Sequence, residues 1–135
     1  MIVDTSAIIA ILRGEPDADR FVEALSQATA AVISAGTYIE TAIVVDSNLD
    51  PVLSARLDDL LAVARVRIEP VTETHAEVAR QAYRDFGKGS GHPAGLNFGD
   101  CFAYASARLS RDSLLFKGDD FARTDIASAL GSRRS

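Results

Sequence analysis

The sequence predicts an α/β domain with a central, mostly parallel sheet. Two observations carry this: brief apolar runs alternate with longer stretches of helical periodicity, and Gly, Pro, Asp and Asn mark the joins between them. Alternation of that kind implies β-α-β crossovers and a sheet covered by helices on both faces.

The elements follow in order. Met1 to Asp4 reads as a short buried strand, and Thr5 and Ser6 offer hydroxyls to cap a helix through Ala7 to Leu12. After a break at Gly14, Pro16 and Asp17, Phe21, Val22 and Leu25 recur at helical spacing in a segment that ends near Thr29. Ala31 to Ile33 is a candidate second strand, followed by a helix over Thr37 to Asn48. Asp50-Pro51 signals a turn, and Leu53, Leu57, Leu60, Leu61 and Ala64 trace an amphipathic helix. Val66 to Ile68 alternates as a third strand. Thr72 or Thr74 is placed to cap a helix running to Phe86, where Gly87 ends it. Residues 87–95 form one long loop; Gly99 to Leu109 reads as a helix, Ser113 to Phe116 as a strand, and Gly118-Asp119-Asp120 as its turn.

A chain of 135 residues, 47% hydrophobic and 24% charged, has the size and apolar content for one compact core. We expect a single domain over residues 1–130 and a fraying Ser- and Arg-rich tail over 131–135. Cys101 is the only cysteine, which excludes a disulfide framework and suits a reducing cytoplasm. Asp4 interrupts the apolar N-terminus, no basic segment precedes it, and no run approaches spanning length, so no membrane association is expected. The net charge of −5 argues against the broad basic footprint of most nucleic-acid binders. That argument weakens if several acids converge on divalent metal, because bound cations invert the local field.

Most of the acids, among them Asp17, Asp19, Asp58, Asp59, Glu69, Glu73 and Glu77, read as solvated charge on helix surfaces or turns. Asp4 differs because it closes an apolar strand, although a helix N-cap would also explain it. Glu40 lies inside the otherwise apolar stretch T-Y-I-E-T-A-I-V-V, where burial would demand a partner and a half-exposed face would not. Asp100 falls in the first turn of its helix, where the macrodipole favours negative charge. Asp119 and Asp120 follow L-L-F-K-G, where an ordinary turn also uses Asp and Gly. Acids from several elements are what hard divalent cations and two-metal phosphodiesterases require. Zinc spacings, nucleophile elbows, Walker loops and dinucleotide fingerprints are absent from the sequence. His75 and His92 read as surface histidines.

The opening M-I-V-D-T-S-A-I-I-A-I-L, Y-I-E-T-A at Tyr38 to Ala42, L-N-F-G-D-C-F-A-Y-A at Leu96 to Ala105, and L-L-F-K-G-D-D-F-A-R-T-D-I at Leu114 to Ile126 resemble the PIN-domain ribonucleases, and among them the VapC toxins of toxin–antitoxin pairs. The resemblance implies a three-layer α/β/α fold and an endoribonuclease site at Asp4, Glu40, Asp100 and Asp119, holding Mg²⁺ or Mn²⁺. Asp120 and Asp125 compete with Asp119 for the fourth place, and Asp125 is otherwise expected to support the site. Thr5, Ser6 and Asn97 match polar positions that orient carboxylates or water.

It further implies attack on structured RNA, in tRNA or rRNA loops, by metal-activated water, leaving a 5′-phosphate and a 3′-hydroxyl and inhibiting translation. The implied partners are a VapB-like antitoxin, the RNA substrate and a second copy of the chain in a homodimer. Arg13, Lys88, His92, Arg108, Arg111 and Lys117 are candidate phosphate contacts. Three alternatives weigh against this reading. A phosphoacceptor receiver-like module expects paired acids at the first strand's end, where Thr5 and Ser6 stand; an aspartyl phosphatase expects Asp at position 6; a non-catalytic PIN-like binding scaffold has no need of the full acidic set.

Overall fold

The computed structural model describes residues 1–131, so the expected frayed tail beyond Gly131 lies outside the described residues. The chain runs β1 (Ile2–Val3), α1 (Thr5–Leu12), α2 (Ala18–Gln27), β2 (Ala31–Ser34), α3 (Ala35–Asp46), α4 (Pro51–Val63), β3 (Val66–Glu69), α5 (Glu73–Phe86), α6 (Phe98–Ser110) and β4 (Leu114–Leu115), followed by a 3-10 turn at Phe121–Arg123. The strands form one sheet in the order β3-β2-β1-β4, with every pairing parallel.

Side-chain alternation along the strands sorts the core into two halves. Ile2 pairs with Val32 and with Leu114, and these three face α5 and α6 along with Ala82, Leu96, Ala103 and Tyr104. Val3, Ile33 and Leu115 face the other way, onto Ala7, Ile8, Phe21 and Leu57 of α1, α2 and α4. The result is the expected three-layer α/β/α arrangement.

Several helices begin earlier than their apolar periodicity suggests, because the cap lies on the preceding strand. Asp4, not Thr5 or Ser6, caps α1: its Oδ2 accepts from Ser6 N at 3.0 Å. Ser34 caps α3 two residues ahead of the expected start, accepting from Gly36 N. β1 and β2 therefore turn into their helices without a loop, and the residue at each junction does both jobs.

The strand order also locates a crevice. From β1 the chain winds outward to β2 and β3, then returns across the sheet to lay β4 on the opposite side of β1. In parallel sheets a cleft opens at the carboxyl ends of the strands where the winding reverses. Here that point lies between Asp4, after β1, and the segment that follows Leu115. At the same edge α3 and α6 come into close contact through reciprocal glycines. A Cβ on Gly36 of α3 would fall inside the Phe102 ring of α6, and a Cβ on Gly99 of α6 would fall inside the Glu40 carboxylate of α3.

Candidate active site

Asp4 sits at the floor of the crevice, 3% exposed. Its Oδ2 accepts from Ser6 N and, at 2.6 Å, from the Ser6 hydroxyl, which in turn accepts from Lys117 N at 2.9 Å. Ser6 thus ties the end of β1 to the segment after β4. Oδ1 of Asp4 is buried and has no hydrogen-bond partner. A buried carboxylate oxygen without a donor is costly, and the carboxyl responds in the expected direction. Burial raises its pKa most, the Ser6 bonds oppose this, and the neighbouring Glu40 charge raises it further.

Asp100 mirrors this arrangement at the start of α6. Asn97 Oδ1 accepts from Asp100 N at 2.9 Å and Asp100 Oδ2 accepts from Asn97 N at 3.0 Å, a reciprocal capping box. Burial pushes the Asp100 carboxyl up to about 7; the bond from Asn97 opposes the rise, while the charges of Asp4, Asp120 and Glu40 add to it. Glu40 reaches the same space from α3. Thr5 Oγ1 donates to its Oε1 at 2.7 Å and lies 2.8 Å from Thr41 Oγ1, linking α1 to α3 behind the carboxylate. The missing Cβ of Gly99 leaves the room that the Glu40 carboxylate occupies against α6.

The charges of Asp4, Glu40 and Asp100 thus bear on one another, and Thr5, Ser6 and Asn97 are bonded directly to these carboxylates. The fourth position is more open. After Gly118, at φ 101, Asp119 and Asp120 are both exposed, and Asp119 lies along a groove with Asp17, Arg20 and Lys117. Asp120 is the member of the pair whose charge bears on Asp100. Asp125 also departs from expectation: Tyr104 donates to its Oδ1 at 2.7 Å and Arg108 lies 3.8 Å from its Oδ2, so it fastens the C-terminal segment to α6.

Other acids and bases need correction too. Glu69, read as solvated, closes β3 and accepts from His75 Nε2 at 2.9 Å and Ser106 Oγ at 3.0 Å. His75 is 15% exposed, not a surface residue. Its Nδ1 accepts from Thr72 N in a capping box, which leaves Nε2–H to serve Glu69. His92 Nδ1 accepts from Ala94 N, and its ring lies edge-on to Phe86 at 4.9 Å. Among the candidate phosphate contacts, Lys117 Nζ is held by Glu15 at 2.7 Å and Asp17 at 3.0 Å. Arg108 and Arg111 stand at the opposite end of α6 from Asp100. Cys101 is a buried thiol that burial pushes up to about 11, as expected of an inert cysteine.

Among the described residues no three His, Cys, Asp or Glu side chains form a ready-made metal cage. The residues nonetheless fit a hard divalent cation. All are oxygen donors, they come from different elements, and Asp4 presents a buried oxygen that no protein group satisfies.

A PIN domain family model matches residues 1–127. Ribonuclease VapC28 of Mycobacterium tuberculosis is 56% identical over 98% of this chain and 100% of its own length. The chain belongs to the PIN-domain VapC family. Ribonuclease VapC42 of the same organism is 46% identical over 96% of this chain and 98% of its own. Solved VapC-like folds superpose well at low identity. Mycobacterium tuberculosis VapC20, described as a sarcin–ricin loop cleaving toxin, gives a TM-score of 0.70 at 18% identity over 93% of this chain and 95% of its own. FitAcB of Neisseria gonorrhoeae gives 0.70 at 24%, covering 94% of each chain. At such identity these two speak for the fold alone. In this VapC-family chain no helix among the described residues is long and apolar enough to cross a membrane.

The raised carboxyls make stability depend on pH in a definite sense. A group whose pKa rises on folding, from 3.8 to about 7 for Asp100, favours the folded state while it is protonated. That contribution is lost as pH climbs from about 4 to about 7, and Asp4 acts in the same direction. Without divalent cations, Tm should therefore fall between about pH 4 and pH 7 and level off above. After allowance for solvent screening, the loss is on the order of 2 kcal/mol, or roughly 5–10 °C. Asp100→Asn should flatten this slope in a melting series; an unchanged slope would show that the acids do not interact as described.

Proposed function

We propose that this chain is a Mg²⁺- or Mn²⁺-dependent endoribonuclease, the toxin of a toxin–antitoxin pair, which cuts structured RNA in tRNA or rRNA loops and so inhibits translation. The observation that carries the reading is the buried, unpartnered Oδ1 of Asp4 beside Asp100 and Glu40. Relatives named as ribonucleases across nearly the whole chain support it. Asp4, Glu40 and Asp100 are the proposed ligands, with Asp119 as the fourth acid and Asp120, whose charge bears on Asp100, its competitor. A bound cation would supply water activation and neutralise charge building on the phosphate.

The chain's own residues prepare the site. Ser6 and Asn97 each direct one carboxylate by engaging Oδ2, and the N-termini of α1 and α6 keep both acids at positive dipole ends. Thr5 holds Glu40 by one oxygen, so the carboxylate cannot swing away to solvent without breaking that bond. We further propose a VapB-like antitoxin as partner, a homodimeric state and a cytoplasmic location.

Purified protein should cleave structured RNA with Mg²⁺ or Mn²⁺ and lose at least 100-fold in rate after chelation with EDTA, an effect that re-added metal reverses. The new 5′ ends should carry phosphate and map to loops. Undiminished cleavage in excess EDTA would overturn the metal assignment.

A further inference from the structure

We propose that Phe98 is a stacking platform for an unpaired base of the RNA beside the scissile phosphate. This deepens the ribonuclease reading above and rests on it. Phe98 is the first residue of α6, next to Gly99, against which Glu40 packs, and two residues before Asp100. Its ring is 77% exposed, whereas Phe21, Phe116 and Phe121 are buried.

The ring is also braced. Phe102, one turn further along α6, meets it edge-to-face with centroids 5.0 Å apart. Phe102 itself is seated over Gly36 of α3, where any larger residue would collide with it. A rigid aromatic face at the edge of a carboxylate site is suited to a splayed base, because stacking needs a π surface and no particular base edge. In a chain of net charge −5, affinity that does not depend on charge has added value for a polyanionic substrate.

Ile39 and Ile43 of α3 are exposed apolar residues as well. They make a second copy of the chain the rival occupant.

The chain has no tryptophan, so Phe98→Trp places a single reporter at the platform. In an Asp4→Asn background with Mg²⁺, titration with a short single-stranded oligoribonucleotide should quench the indole and saturate, with affinity within about threefold of the Phe98 parent. Phe98→Ala should weaken binding at least fivefold, roughly the lower bound for one stacked base, and leave Tm unchanged. In the Asp4-containing protein the same change should raise KM more than it lowers kcat. Unquenched fluorescence with unaltered RNA affinity in Phe98→Ala would overturn the proposal. So would light scattering showing that Phe98→Ala splits a dimer while RNA affinity per protomer is kept. If the unsubstituted protein cleaves no RNA with either metal, the ribonuclease reading falls and takes this one with it. If it cleaves and Phe98→Ala cleaves equally well, the stacking inference alone falls.

Discussion

Asp4→Asn is expected to reduce RNA cleavage by at least 10³-fold while leaving a folded protein that, without metal above pH 7, is at least as stable as the parent. The size of the loss follows from removing a charged oxygen donor from a divalent-cation site. The stability follows from how Asp4 is held. Its capping oxygen, Oδ2, can be reproduced by the Asn carbonyl, since Asn and Asp are comparable N-caps. The charge removed is one that burial and Glu40 already disfavour. Retained capping with a lost negative charge therefore separates chemistry from folding within one substitution. Cleavage rates and metal-free melting curves, measured together, check both halves; a mutant that cleaves normally would sink the site assignment.

Gly99→Ala is expected to cost about 100-fold in cleavage with less than about 1 kcal/mol change in stability. Alanine is the better helix former by about 1 kcal/mol, so α6 itself gains. What the added methyl meets is the Glu40 carboxylate, the far end of a flexible side chain, which must leave its place against α6. The bond from Thr5 Oγ1 to Glu40 Oε1 would be broken or lengthened by that displacement. A double-mutant cycle identifies the route of the effect. In a Glu40→Ala background, Gly99→Ala should add almost nothing, because the group it expels is already gone. Additive losses would show that Gly99 acts through something other than Glu40.

Asp4 shows why the layout was legible in the sequence. A carboxylate closing an apolar strand stands out against its neighbours, and the structure shows it serving as helix cap and as the buried acid of the site at once, so the two explanations open at the sequence level do not compete. Asp100 follows the same logic. Glu69 and His75 were misread because apolar periodicity does not reveal polar pairing: His75 reaches back to Thr72 and Glu69 across the turn, and nothing local announces that Ser106, 37 residues away, donates to Glu69. Asp119 and Asp120 are not separated by spacing, since both follow Gly118 in one turn and both are exposed. Gly99 and Gly36 were missed although a signal existed. A glycine in the first turn of a helix carries a cost that calls for a packing reason, and each has one in a bulky side chain from the facing helix.

The position of β4 has a consequence for how the fold is completed. Because β4 completes the sheet beside β1, the segment that closes on Ser6, beside Asp4, comes 111 residues further along the chain. Pairings this distant along the chain form late in folding. Until β4 docks, Asp4, Glu40 and Asp100 lack the wall that Lys117 N builds on Ser6.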